Sequence, residues 1–338
     1  MENSNDCANK KPAHEKPSKI DVVFTWVDPE NEEWQQAKEK AKIKDKRFRD
    51  KMYVHAFSQS RFNSNLEELK YALRSIERHM LLSVRKIFLV TNNGSVPDFI
   101  DAHRSTDPPL KIIDYRDLLG RETFCSRSIE SVLHKIEGLT EYFLYFNDDM
   151  ILNADLSLQD LINHEGKAIW YQDTNPFIRF FHRHAFFSNF VDLDGGVVFA
   201  RHRMYRTLGL NDPIPPPIGH NPRLLNKTRI KDFVTRFRSE VETLRTLSFR
   251  SPSAFSFLDA YCYHYAHKQQ LHFVRDKKTA ILVQRNRLTA WLNRFFYFRP
   301  PNTPFICIAD IRKGSAKACP TIRRILDKRF PTPSRWEK

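Results

Sequence analysis

The 338-residue sequence predicts an α/β fold with a mostly parallel sheet, and three observations carry that prediction. Apolar runs of strand length alternate with segments of helical period from residue 20 to about 150. The intervals between the runs suit crossover helices, which makes the connections right-handed and the strands largely parallel. Three of the runs stop at polar residues, Asp28, Asn92-Asn93 and Asn147-Asp148-Asp149, and ligands of such sheets gather beyond the carboxyl ends of the strands.

Residues 1–19 are polar and read as a disordered arm. The run 20–27 (IDVVFTWV) is rich in β-formers and meets a turn signal at Asp28-Pro29, so it is the first buried strand. Segment 31–51 is highly charged and reads as a solvated helix. Residues 67–79 place Leu69, Leu73 and Ile76 on one helical face and feed a second buried strand, 86–91 (KIFLVT). A short helix at 97–103, a strand at 110–114, a helix at 128–136 and a strand at 142–146 (YFLYF) follow. Beyond 150 come a strand at 168–171, an aromatic and basic stretch at 177–190, and a proline-rich loop at 212–220 that presents His220. Helices are expected over 227–247 and 254–269, and the tail, 286–298 and 321–329, is basic with interleaved aromatics.

Composition narrows the function. All nine glycines are scattered, so neither G-x-G-x-x-G nor G-x-x-x-x-G-K-[ST] can be written anywhere. Phosphate would have to be met by side-chain cations or a metal. The five cysteines form no C-x-x-C, no apolar run approaches the ~18 residues of a membrane span, and the N-terminal residues lack the apolar centre of a signal peptide. A reducing cytoplasmic location is expected. The 55 Lys and Arg against 40 Asp and Glu give a net charge of +15, which favours a polyanionic partner: nucleic acid, anionic lipid or an acidic polymer.

Several residues can carry chemistry. Asn147-Asp148-Asp149 puts two carboxylates directly after a strand, where they would hold Mg²⁺ or Mn²⁺ against a diphosphate or simply build a turn. Glu130 and His134, four apart on the expected helix, share one face, either at a site or in solvent. Arg74 offers a guanidinium fork for phosphate or a surface ion pair with its helix neighbours. His220, behind its prolines, is placed to act as a general base or is structural. Arg250, before Ser251-Pro252-Ser253, meets phosphate or flanks a helix start.

The order of these residues is more specific than any one of them. The segments 20–28 (IDVVFTWVD), 68–79 (ELKYALRSIERH) with 86–92 (KIFLVTN), 128–149 (SIESVLHKIEGLTEYFLYFNDD), and His220 with Phe249-Arg250-Ser251 and 261–265 (YCYHY) resemble the four characteristic regions of the Stealth family. These are hexose-1-phosphate transferases, among them bacterial capsular polysaccharide phosphotransferases and the catalytic subunits of the lysosomal-enzyme N-acetylglucosamine-1-phosphotransferase. Residues 305–310 (FICIAD) look like a further family segment.

The resemblance implies a Rossmann-like or GT-A-like nucleotide-sugar site in a catalytic domain over 20–270, with a helical C-terminal part and a basic extension at 271–338. It implies transfer of a hexose- or hexosamine-1-phosphate from a UDP-sugar to an acceptor hydroxyl of a glycan or growing phosphoglycan, with release of UMP. On matching positions, Asp148 and Asp149 become metal and diphosphate residues, and Arg74, His220 and Arg250 become catalytic. Thr25, Trp26, Asp28, Glu130, His134 and Asn147 would line the donor pocket. The basic stretches would then hold a phosphoglycan or touch the inner membrane peripherally. The sequence departs from the family pattern at Asn63-Ser64-Asn65, at Ser251-Pro252-Ser253, where acidic residues often stand, and at Ala309, where Asn is usual. The rival readings are a metal-dependent glycosyltransferase that releases UDP and a non-catalytic polyanion binder. A nucleic-acid partner is not expected, because no nucleic-acid motif accompanies the charge.

Overall fold

Strand β1 (Ile20–Thr25) lies at the middle of a five-stranded sheet, flanked on both sides by parallel neighbours. A computed structural model describes residues 19–46, 67–172, 197–210, 217–251, 255–275, 279–283, 303–309 and 320–338. β2 (Val84–Thr91), β3 (Leu110–Asp114), β4 (Tyr142–Asn147) and β7 (Arg223–Asn226) complete the sheet in the order β3-β2-β1-β4-β7. All pairings are parallel except β4 with β7. The chain runs outward from β1 through β2 to β3, then returns to place β4 on the other side of β1. That reversal opens a crevice at the carboxyl ends of β1 and β4, where Thr25 and Asn147 are register partners.

The helices are local consequences of the sequence. In α1 (Glu32–Lys44) the Asn31 side chain accepts from Trp34 N at 2.9 Å, and acidic and basic residues sit at the ends the helix dipole favours. α2 (Glu68–His79) buries Leu69, Ala72, Leu73 and Ile76 beneath the sheet. α3 (Tyr115–Leu119) ends at Gly120, whose φ of 81° is the left-handed conformation glycine adopts cheaply.

The expected helix at 128–136 is two pieces, α4 (Ser126–Glu130) and a 3-10 turn at Leu133–Lys135. Arg245 sits at the break: its guanidinium donates to Ser131 O at 2.7 Å and Ser131 Oγ at 3.0 Å, and Lys135 N donates to Val132 O at 2.9 Å in a tighter turn. The helix expected at 97–103 is not formed. Ile100 there bridges Glu337, and Asp101 N donates to Trp336 O.

Two smaller sheets are added beyond 150: β6 (Ala168–Gln172) with β8 (Leu271–Arg275), and β5 (Met150–Leu152) with β10 (Phe305–Ala309) and β9 (Thr279–Val283). The helix expected over 227–247 is interrupted at Phe237, giving α6 (Lys227–Arg236) and α7 (Arg238–Thr246). α5 (Val197–Thr207) precedes them, and α8 (Phe257–His267) packs Tyr261, His264 and Tyr265 around Phe233 of α6. Among the described residues, the part beyond 270 contributes three strands as well as α9 (Pro320–Arg329).

The sheet's two ends differ in purpose. At the amino end, buried Asp21 accepts Arg85 Nε at 2.9 Å and Nη2 at 2.6 Å and also binds Thr140 N at 2.8 Å, a closed polar network. At the carboxyl end, the polar residues Thr25, Asn147, Asp148 and Asp149 gather where β1 and β4 stop.

Candidate active site

β4 ends at Asn147, and Asp148-Asp149 form the tight turn into β5. The turn is held by Ile308 N donating to Asp149 O at 3.0 Å. Thr25, Tyr145 and Asn147 make a hydrogen-bonded chain: the single Tyr145 hydroxyl proton goes to Asn147 Oδ1 at 2.8 Å, so Thr25 Oγ1 donates to Tyr145 at 3.0 Å. Burial raises the Tyr145 phenol well above its ordinary range, so this chain stays protonated.

Among the described residues, neither Asp148 nor Asp149 forms a direct ion pair. Burial, then Asp149 and Glu68, push the Asp148 carboxyl well up. Burial also raises Asp149, against the opposing pull of His220, the Cys307 thiol and Arg223. Cys307 Sγ donates to Asp149 Oδ2 at 3.6 Å, while Asp149 Oδ1 is buried with no partner. The ligand atoms of Asp149, His220 and Cys307 lie within 4.8 Å of one another. A hard divalent cation fits this arrangement through Asp149 Oδ1 and Asp148. The thiol is a poor ligand here, because burial keeps it protonated and it is already orienting Oδ2.

A cationic half lies beside the carboxylates. Glu130 is partly buried, and desolvation raises its pKa, although the charges of Arg223, Arg250 and Arg127 oppose the rise. Arg250 Nη2 donates to Ser126 Oγ at 2.7 Å on α4. Arg127 is 8% exposed on the same helix. The charges of three guanidinium groups thus act on Glu130, and one of them, Arg223, acts on Asp149 as well.

His220 is exposed, but its backbone is not loose. Gly219 N donates to Tyr171 O at 2.7 Å, Ile218 bridges Gln172, and buried Asn221 donates to Thr279 Oγ1 at 3.2 Å. The prolines expected to stiffen this loop fall mainly at 213–216, outside the described residues.

Asp28 and Trp26 lie on the rim of the crevice. Asp28 exchanges its backbone groups with the Asn92 amide at 2.7 and 3.2 Å, and its carboxylate accepts Glu30 N at 2.9 Å. Trp26 is partly buried against the core, its N–H bonded to Val90 O at 3.0 Å.

Two expected site residues are placed elsewhere. Arg74 Nε and Nη2 hold Glu337 at 2.8 and 2.7 Å, and Nη1 donates to Phe330 O at 2.9 Å. Six residues beyond Glu68, it points about 240° around the helix from the residue that faces Asp148. Its fork therefore fastens the C-terminal segment and is not available to phosphate. Arg74→Met should leave a nearly buried Glu337 unpaired and cost about 3–5 kcal/mol of stability, read by urea unfolding. Turnover per folded molecule should be unchanged; a selective loss of turnover would return Arg74 to the site.

His134 is separated from Glu130 by the helix break. Burial, then Arg245, Lys135, Lys227 and Lys231, lower its pKa to about 4, and its Nδ1 is buried without a partner. The unfolded chain binds this proton from pH ~6.5 downward while the folded chain does so only near 4. Stability contributed by neutral His134 is therefore present above about 6.5 and lost as pH falls toward 4. His134→Gln should flatten that decline in a pH series of thermal melts; an unchanged slope would refute it.

Arg127, Arg223 and Cys307 were not singled out from sequence. Cys307 lies inside the 305–310 segment and Arg223 three residues after His220, so position relative to the motifs was the available signal. Asp310, Asn63-Ser64-Asn65, Pro252-Ser253 and the 177–190 stretch lie outside the described residues.

Comparison with known proteins adds similarities to this geometry. A model of Stealth protein conserved region 2 matches residues 61–189. The chain is 28% identical over 69% of its length to the capsular polysaccharide phosphotransferase fcs1 of Haemophilus influenzae, spanning 61% of that protein. It is 35% identical over 46% of its length to the capsular polysaccharide phosphotransferase LcbA of Neisseria meningitidis, spanning 41% of it. Among solved structures, the galactosyltransferase LgtC in complex with donor and acceptor sugar analogs aligns over 94% of this chain and 99% of its own, at 10% identity and a TM-score of 0.44. No helix among the described residues is long and apolar enough to cross a membrane.

Proposed function

We propose, for a chain that belongs to the Stealth family, that it transfers a sugar-1-phosphate from a UDP-sugar to a glycan hydroxyl and releases UMP. The observation that carries this reading is the pairing, at the switch point of the sheet, of a carboxylate half (Asp148, Asp149) with a guanidinium half (Arg127, Arg223, Arg250). A nucleoside diphosphate ester bound with a divalent cation presents the complementary charges. The two relatives are named capsular polysaccharide phosphotransferases, which supports phosphosugar transfer in polysaccharide synthesis. A glycan acceptor and a peripheral membrane location belong to the same proposal.

The acceptor oxygen attacks the β-phosphorus, the bond from that phosphorus to the bridging oxygen breaks, and UMP leaves in line. His220 takes the hydroxyl proton as the new O–P bond forms. Arg250, fixed by Ser126, positions the diphosphate, so the reacting atoms meet in one geometry. Thr25, Tyr145 and Asn147 are tied together at the carboxyl ends of β1 and β4, and Cys307 holds Asp149 Oδ2 so that Oδ1 stays free for a ligand. Mg²⁺ or Mn²⁺ on Asp148 and Asp149 would supply neutralisation of phosphate oxygen charge.

The test is a panel of UDP-sugars with Mg²⁺ and an oligosaccharide acceptor, reading nucleotide and product mass together. UMP with a product heavier by one sugar phosphate is expected. UDP with a product heavier by one sugar would replace this reaction by glycosyl transfer, and no turnover across the panel would leave a binding protein.

A further inference from the structure

Arg223 opens β7 opposite Tyr145, so the antiparallel pairing of the main sheet delivers its side chain to the carboxyl end of β4. Its charge acts on Glu130 in the cationic half and on Asp149 in the carboxylate half. Nη2 donates to Gly219 O at 3.2 Å, the carbonyl immediately before His220. Nε is buried and has no partner. A buried guanidinium N–H left unmade costs free energy that a bound anion would recover.

The surrounding charge points the same way. Arg127, Arg223 and Arg250 outnumber Glu130, and nearby Asp259 is already engaged by Ser256 Oγ at 2.6 Å and Arg201 at 3.9 Å. Of the three, Arg127 is buried and Arg223 keeps a buried, unpartnered Nε. A group with two negative charges and several acceptor oxygens suits these arginines, which is a phosphate or diphosphate ester.

We propose that Arg223 is a phosphate-binding residue of this site. Its free Nε–H grips the phosphoryl group that is transferred, and its Nη2 holds the His220 loop toward the same group. This rests on the sugar-phosphate reading and extends it, since Arg223 takes the place that Arg74 cannot fill. A surface arginine would give affinity alone. A fork shared between ligand and loop couples binding of the phosphate to the position of the base.

The test titrates the full chain with inorganic pyrophosphate in Mg²⁺ buffer by calorimetry. Arg223→Gln is expected to weaken binding by about 10–100-fold, the scale of one charge-assisted fork. Arg223→Lys, which keeps the charge and loses the fork, is expected to weaken it by less than tenfold while lowering kcat more than it raises KM. Arg238→Gln, on an exposed helix surface, serves as the control and should bind as wild type. Circular dichroism verifies that each variant is folded. Wild-type affinity in folded Arg223→Gln, or a wild-type chain that binds no pyrophosphate, would overturn the proposal. If Arg223→Gln loses pyrophosphate while the wild-type chain turns over no UDP-sugar, Arg223 stands as a phosphate ligand and the reaction assigned above falls.

Discussion

Asp149→Asn is expected to remove sugar-phosphate transfer while making the metal-free protein more stable. The rate effect follows from position: Asp149 Oδ1 is buried without a partner, within reach of the His220 ring, and Oδ2 is held by Cys307. Losing a cation that supplies about 4 kcal/mol of charge stabilisation corresponds to about three orders of magnitude in turnover. The stability effect has the opposite sign. Burial raises the folded-state pKa of Asp149 above the unfolded value, so above the ordinary carboxylate range the folded state binds more protons than the unfolded one. The penalty therefore grows as pH rises through the raised folded pKa, and an amide does not carry it. Thermal melts in EDTA at pH 5 and pH 8 should show the variant gaining on wild type at the higher pH. Mg²⁺ should raise the wild-type melting temperature and leave the variant unmoved. Retained turnover, or an equal response of both proteins to Mg²⁺, would sink this account.

The trade of stability for charge explains which parts of the molecule were legible in sequence. β1, β2 and β4 are apolar runs ended by polar residues, and those endings are where the crevice lies, so the sheet and the location of the carboxylates could be read directly. Local pattern failed where a distant side chain overrode it. Nothing within 128–136 announces that Arg245, more than a hundred positions later, donates to the Ser131 carbonyl where the helix breaks. Arg74 lies on an amphipathic helix beside acidic residues, yet its partner is Glu337 in a tail that reads as basic. Arg223 was hidden for a related reason. Its importance comes from an antiparallel register with Tyr145, and four residues of strand, RLLN, carry no signal for that pairing. The nine-glycine composition was informative in a different way, because it leaves phosphate to side-chain cations, and three arginines act on Glu130, one of them, Arg223, also on Asp149.

His220→Ala is expected to lower turnover by ~10²–10⁴-fold, the usual contribution of a positioned general base, with the fold and donor affinity retained. Its side chain is exposed, so truncation buries no new polar group and opens no cavity; the stability change should stay within about 0.5 kcal/mol. The backbone on either side is pinned by Tyr171, Arg223 and Thr279, so the loop keeps its place when the imidazole is gone. Added imidazole should then restore part of the rate, since the missing group is a base and the space it left is open to solvent. Near-wild-type turnover would remove His220 from the proton transfer. A loss of donor or Mg²⁺ affinity in place of a loss of kcat would assign the imidazole to the cation, the other role that its position within 4.8 Å of the Asp149 and Cys307 ligand atoms allows.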